Sequence, residues 1–138
     1  MSTSDLVEHL DRVMRRVDAE MHRLMPVLDT QGIGPLGTIT LHRLHSIAPA
    51  PVHLLVDAMG RDASQVSRVI GRLEAKGLLS KENSPEDKRV SVLTLTPAGK
   101  AHVAKVEATL SRVITEVFAP LSSCENEQLL VLLKKASR

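Results

Sequence analysis

The sequence predicts a mainly α fold, of the α+β kind, with long helices at both ends and one short β hairpin between them. Three observations carry that reading. Phe118 is the only Phe, Tyr or Trp in 138 residues, so the core must be Leu, Val, Ile, Ala and Met, which suits helix-on-helix packing. Apolar residues recur at steps of three and four towards both ends of the chain. A single charged stretch, "NSPEDKR" (Asn83 to Arg89), separates two short apolar runs and has the look of a hairpin turn.

Leu6, Leu10, Val13, Val17, Met21 and Leu24 form the apolar stripe of a first long helix, with Asp5, Glu8, Arg12, Arg15 and Arg16 on its wet side. Pro26 and the run from Gly32 to Gly37 interrupt the pattern and mark a connection. A second helix runs from Pro35 or Thr38 to Ser46, and Ala48-Pro49-Ala50-Pro51 ends it, because proline lacks an amide donor and disfavours helix in the residue before it. Pro51 also opens a short helix from Val52 to Met59. In the turn Gly60-Arg61-Asp62, Gly60 can adopt positive φ and Asp62 can cap the next helix, Ala63 to Lys76, which Gly77 stops. That helix turns Val66, Val69, Ile70 and Leu73 inward and spaces Ser64, Arg68, Arg72 and Lys76 every four residues on the other side. Strands over Leu78 to Glu82 and Arg89 to Leu95 follow. Thr96-Pro97 starts a long helix through Val117, Pro120 ends it, and Ser122 or Ser123 caps a last helix rich in leucine.

The length suits one domain. No stretch approaches the ~18 continuous apolar residues of a membrane span, and residues 1–25 lack the apolar core of a signal peptide, so no membrane contact and a cytoplasmic location are expected. A lone cysteine, Cys124, excludes an internal disulfide and fits a reducing compartment. Net charge is only +2 and does not announce nucleic acid. Between Arg61 and Arg89, seven cations against five anions give the same +2, so what matters is where those charges point.

Short helix, glycine turn, polar-faced helix and charged hairpin is the order of a winged helix-turn-helix, whose second helix enters the DNA major groove while the first crosses the backbone. Such a helix needs one apolar face for its own domain and one face of long donors for base edges, and residues 63–76 have both. An Arg fork pairs with guanine and a Gln amide with adenine, so Arg68 and Gln65 are expected to read bases, flanked by Ser67. Ser64 is expected at a phosphate, through its hydroxyl and the free amides of the first turn. Arg72 completes the DNA-facing set on this helix.

The segment "LLVDAMGRDASQVSRVIGRLEAKGLLSKENSPEDKRVSVLTLTPAGKAHV", Leu54 to Val103, resembles the MarR family of bacterial transcription regulators. The resemblance is carried by Leu55, Met59 and Gly60; by Ser64, Val66, Ser67, Arg68, Arg72, Leu73, Glu74, Gly77 and Leu78; by Asp87 and Arg89; and by Leu95, Thr96 and Gly99. It implies a homodimer, with dimerisation helices over residues 5–34 and 97–138 and a winged helix-turn-helix DNA-binding part over residues 35–96. The apolar stripes at both ends agree, being more than one small core can use. It further implies a near-palindromic operator in double-stranded DNA, repression released by a small-molecule inducer, and a wing in which Arg89 enters the minor groove while Asp87 orients it, with Lys88 beside them. A winged helix serving protein contacts, as an antirepressor that pairs with a related regulator, is the alternative.

Three departures from the family pattern stand out. Gly34-Pro35-Leu36-Gly37 replaces a Thr-Pro-x-Gln-like start, Pro51-Val52-His53 replaces a Ser or Thr cap on the brace helix, and the aromatic residues that often line a ligand cleft are largely missing. His42, His45 and His53 lack the Cys or carboxylate companions that a zinc site of about four ligands needs, so no metal or other cofactor is expected. Cys124 is read as an unreactive thiol. There is no nucleophile-and-base arrangement and no phosphate loop, so no enzymatic activity is expected.

Overall fold

Six helices and three short strands make up the computed structural model, which describes residues 1–138 throughout. In chain order they are α1 (Thr3–Leu28), α2 (Gly34–Ile47), β1 (Ala50–Pro51), α3 (Val52–Met59), α4 (Ala63–Ala75), β2 (Leu79–Asn83), β3 (Ser91–Leu95), α5 (Pro97–Val117) and α6 (Ser123–Ala136). The mainly helical class with a small antiparallel sheet agrees with the sequence.

The chain divides into two compact units. The larger, Met25–Glu107, holds the buried core, in which Ile33, Leu41, Leu44, Leu55, Val66, Ile70, Leu73, Leu79 and Leu93 meet. Two buried threonines on α2 satisfy themselves, Thr38 donating to the Gly34 carbonyl (3.0 Å) and Thr40 to that of Leu36 (2.7 Å). The second unit, Met1–Leu24 with Ala108–Arg138, is thinly packed. Thr109, Val113 and Val117 are buried in it, but α6 buries nothing, and Leu6, Val7, Leu10, Met14, Leu130, Val131, Leu132 and Leu133 are all more than half exposed.

The sheet order is β1-β3-β2, antiparallel throughout, and β2 pairs with β3 from Leu79 opposite Leu95 to Asn83 opposite Ser91. Ser80 and Thr94 face each other and share a hydrogen bond of 2.8 Å between their hydroxyls. The third strand went unseen in the sequence, where Ala50-Pro51 reads as a helix breaker. It pairs Ala50 with Leu93 and Pro51 with Val92, on the sheet edge where proline is tolerated.

Several boundaries move for identifiable reasons. Pro26 does not end α1, which runs on to the buried Leu28, and the Asp29 amide still reaches the Met25 carbonyl at 2.8 Å. Leu78 belongs to the closure of α4 rather than to β2. Gly77 at φ +71° lets its own amide reach the Glu74 carbonyl (2.9 Å) while the Leu78 amide returns to that of Leu73 (3.0 Å). Arg89 and Val90 lie before β3, because the Val90 amide folds back to the Asp87 carbonyl at 3.0 Å. Asp62 caps α4 and Ser122 caps α6 in a reciprocal box with Glu125, as the sequence suggests. α3 has no side-chain cap, its first flanking residue being Pro51.

Candidate nucleic-acid interface

On α4, burial of Val66, Val69, Ile70 and Leu73 leaves Ser64, Ser67, Arg68 and Arg72 exposed and Gln65 half-buried. Gly71 lies on the exposed side, and a Cβ there would meet nothing within 4 Å, so packing within the chain does not demand a glycine.

The first turn of α4 is already occupied. Asp62 Oδ1 accepts from the amides of Ser64 (2.8 Å) and Gln65 (3.2 Å), and the Ser64 hydroxyl donates to the same oxygen. The Ser64 hydroxyl, followed by the Gln65 and Ser64 amides, holds the Asp62 carboxyl below its usual range. The sequence expectation that these amides are free for a phosphate is therefore corrected: an anionic cap and an anionic ligand compete for the same donors, and the cap is covalently present.

Arg72 is also engaged within the chain. Its Nη2 donates to the Ile33 carbonyl at 3.3 Å, and one turn on, Lys76 Nζ donates to the Gln31 carbonyl at 2.7 Å. Arg68 carries the long exposed donor of the face, with Gln65 and Ser67 beside it.

In the hairpin tip Asp87 and Arg89 are paired. Asp87 Oδ1 accepts from the Arg89 amide (3.0 Å) and from Arg89 Nε (3.2 Å), while the Arg89 side chain stays 92% exposed. Lys88 is exposed next to it. The tip is closed by the Ser84 amide on the Val90 carbonyl at 2.8 Å. At the base of the hairpin one hydroxyl ties three segments together: Thr96 Oγ1 donates to the Gly77 carbonyl (2.5 Å) and accepts from the Gly99 amide (3.1 Å), and the Thr96 amide donates to the Leu78 carbonyl (3.2 Å). Brace helix, donor-bearing helix and wing arginine all border one open cavity of about 460 Å³, lined by Val52, Val56, Ser67 and Arg89 among others.

The MarR family model matches residues 39–91, from α2 to the start of β3. Over this segment the chain is similar to the MarR family. Solved structures superpose on nearly its whole length. BpsR of Bordetella bronchiseptica, whose DNA binding is regulated by 6-hydroxynicotinic acid, is 26% identical with a TM-score of 0.71, covering 97% of this chain and 99% of that one. A mutant MarR from E. coli gives a TM-score of 0.79 at 22% identity, covering 100% and 98%. The transcriptional regulator Tm0710 of Thermotoga maritima gives 0.74 at 23% identity, covering 98% and 93%. The fold is the one that these three solved structures share.

Other sequence candidates lie apart from this face. His42 Nε2 lies 3.3 Å from Glu107 Oε1, and no group of three His, Cys, Asp or Glu side chains is placed to hold a metal ion. Cys124 is exposed on α6. No helix is long and apolar enough to cross a membrane. One group had no sequence signal: His102, buried on α5, has no hydrogen-bond partner for Nε2. Burial lowers its pKa, outweighing the opposing pull of Asp29, and Lys105 adds to the lowering.

Proposed function

We propose that this chain is a homodimeric transcriptional repressor that grips a near-palindromic DNA operator and lets go when a small molecule binds. The observation that carries the reading is the pairing of a face on α4, with Ser67 and Arg68 exposed and Gln65 half-buried, with a wing arginine that Asp87 holds by two hydrogen bonds. Arg68 and Gln65 suit base edges in the major groove, and Arg89 suits the negative potential of a narrow minor groove, with Lys88 near the phosphates. Ser64 acts through Asp62, by fixing the start of the reading helix.

Dimerisation accounts for the apolar side chains of α1 and α6 that stay more than half exposed in the single chain, since contiguous apolar surface of that kind calls for a partner. Two-fold symmetry then places half-sites about one helical turn apart. The inducer reading is supported by BpsR, whose DNA binding responds to a small aromatic acid.

The test is DNA binding by the full chain, followed by fluorescence anisotropy on a duplex selected from a random pool, from about 50 to 200 mM salt. A regulator shows affinity that falls steeply with salt, and Arg89→Ala weakens binding while sedimentation still reports a dimer. Binding that is absent or insensitive to salt would overturn the proposal.

A further inference from the structure

Arg68, Arg72 and Lys76 form one cationic stripe at four-residue spacing, yet only the first of them is left facing outward without a carbonyl. Each four-residue step turns about 40° around a helix of 3.6 residues per turn. The stripe therefore winds from the outer face at Arg68 to the connection between α1 and α2 at Lys76.

That connection is a stiff platform. Asp29 receives the Ile33 amide on Oδ1 (2.8 Å) and the Gly34 amide on Oδ2 (2.9 Å). Gly32 and Gly34 take positive φ, +65° and +72°, which lets the chain curl tightly enough to present the Gln31 and Ile33 carbonyls to α4. Ile33 itself is sunk in the core. Burial would raise the Asp29 carboxyl, but the Gly34 and Ile33 amides, with His102 nearby, hold it below its usual range.

We propose that Arg72 and Lys76 are positioning residues: they lock the last turns of α4 to the 29–34 connection and thereby set the angle at which Arg68 and Gln65 meet DNA, without touching DNA themselves. Two charge-assisted bonds one turn apart fix the rotation of the helix about its own axis, which a single bond cannot. A cation at the C-terminal end of a helix is also where the helix dipole favours it. This inference rests on the DNA-reading function proposed above.

The experiment measures binding of the wild type, Arg72→Gln, Lys76→Gln, the double variant and Lys76→Arg to the selected duplex and to a random duplex, across salt. Melting followed by circular dichroism checks that each exposed substitution leaves the fold intact. Positioning predicts that the preference for the selected duplex falls on the order of tenfold in Arg72→Gln and further in the double variant. The slope of log affinity against log salt stays at the wild-type value, and Lys76→Arg, which keeps a long donor, retains the preference. A slope shallower by roughly one per cation removed, with equal loss on both duplexes, would make these phosphate contacts and overturn the proposal. Unchanged affinity and preference would overturn it as well. A wild type without salt-dependent duplex binding would instead bring down the underlying DNA-reading function, and this inference with it.

Discussion

A single oxygen of Asp87 holds Arg89 twice, at its main-chain amide (3.0 Å) and at the first nitrogen of its guanidinium (3.2 Å). The pair is exposed, so it contributes only ~0–1 kcal/mol to stability, and under the proposed function its value lies in where it aims the arginine. Asp87→Ala should therefore leave chemical denaturation within about 1 kcal/mol of wild type while weakening operator binding on the order of tenfold, or ~1.4 kcal/mol. Asp87→Asn, which retains one acceptor oxygen, should fall between. Equal operator affinity in all three proteins would remove Asp87 from the mechanism.

Arg68 is assigned to a base edge. Arg68→Ala should relax preference at one base pair per half-site, at a cost of ~1–3 kcal/mol, read from binding to a panel of singly substituted duplexes. A uniform loss across the panel would place Arg68 on the phosphates instead.

Two glycines should respond in opposite directions to the same methyl group. A Cβ on Gly99 would lie 1.9 Å from the Leu78 carbonyl oxygen, a main-chain atom that cannot swing away. Gly99→Ala should destabilise the protein at or beyond the top of the ~1–3 kcal/mol range typical of overpacking. Gly71→Ala, where a Cβ meets open space, should raise stability by ~0.5–1 kcal/mol through helix propensity. Urea denaturation measures both, and a neutral Gly99→Ala would contradict the close approach.

His102 should make the protein acid-sensitive well above the carboxylate range. Its folded-state pKa lies below the ordinary 6.5, so the unfolded chain binds more protons and stability falls as pH drops through 6.5. Asp29, held below 3.8, adds a second loss only as pH falls below that value. The melting midpoint should thus decline in two stages, and His102→Leu should abolish the first. An unchanged decline between pH 6.5 and about pH 5 in that variant would assign it elsewhere.

The run from brace helix to wing was legible because each junction carries a local signal. Asp62 before α4, Gly77 after it and Thr96-Pro97 before α5 each satisfy or release main-chain groups within a few residues. The fates of Arg72 and Lys76 were not legible, since their partners lie 39 and 45 residues away and are main-chain carbonyls, which no residue type announces. The strand at Ala50-Pro51 was hidden because edge pairing leaves proline's missing donor unpunished. The engagement of the Ser64 and Gln65 amides was hidden for a different reason: Asp62 and a phosphate are rival anions for the same donors, and in this structure Asp62 holds them.

The Thr96 hydroxyl gives the hairpin two regions with different freedom to evolve. Below, one oxygen joins the exit of α4 to the entry of α5, and the register from Leu79 to Asn83 fixes the strands, so substitutions there reach the whole frame. Above, residues 84–90 are closed by their own main-chain bonds and spend their charges on solvent or on each other. Such a tip can be exchanged as a cassette, so that a lineage could retarget the proposed minor-groove contact while inheriting the frame unaltered.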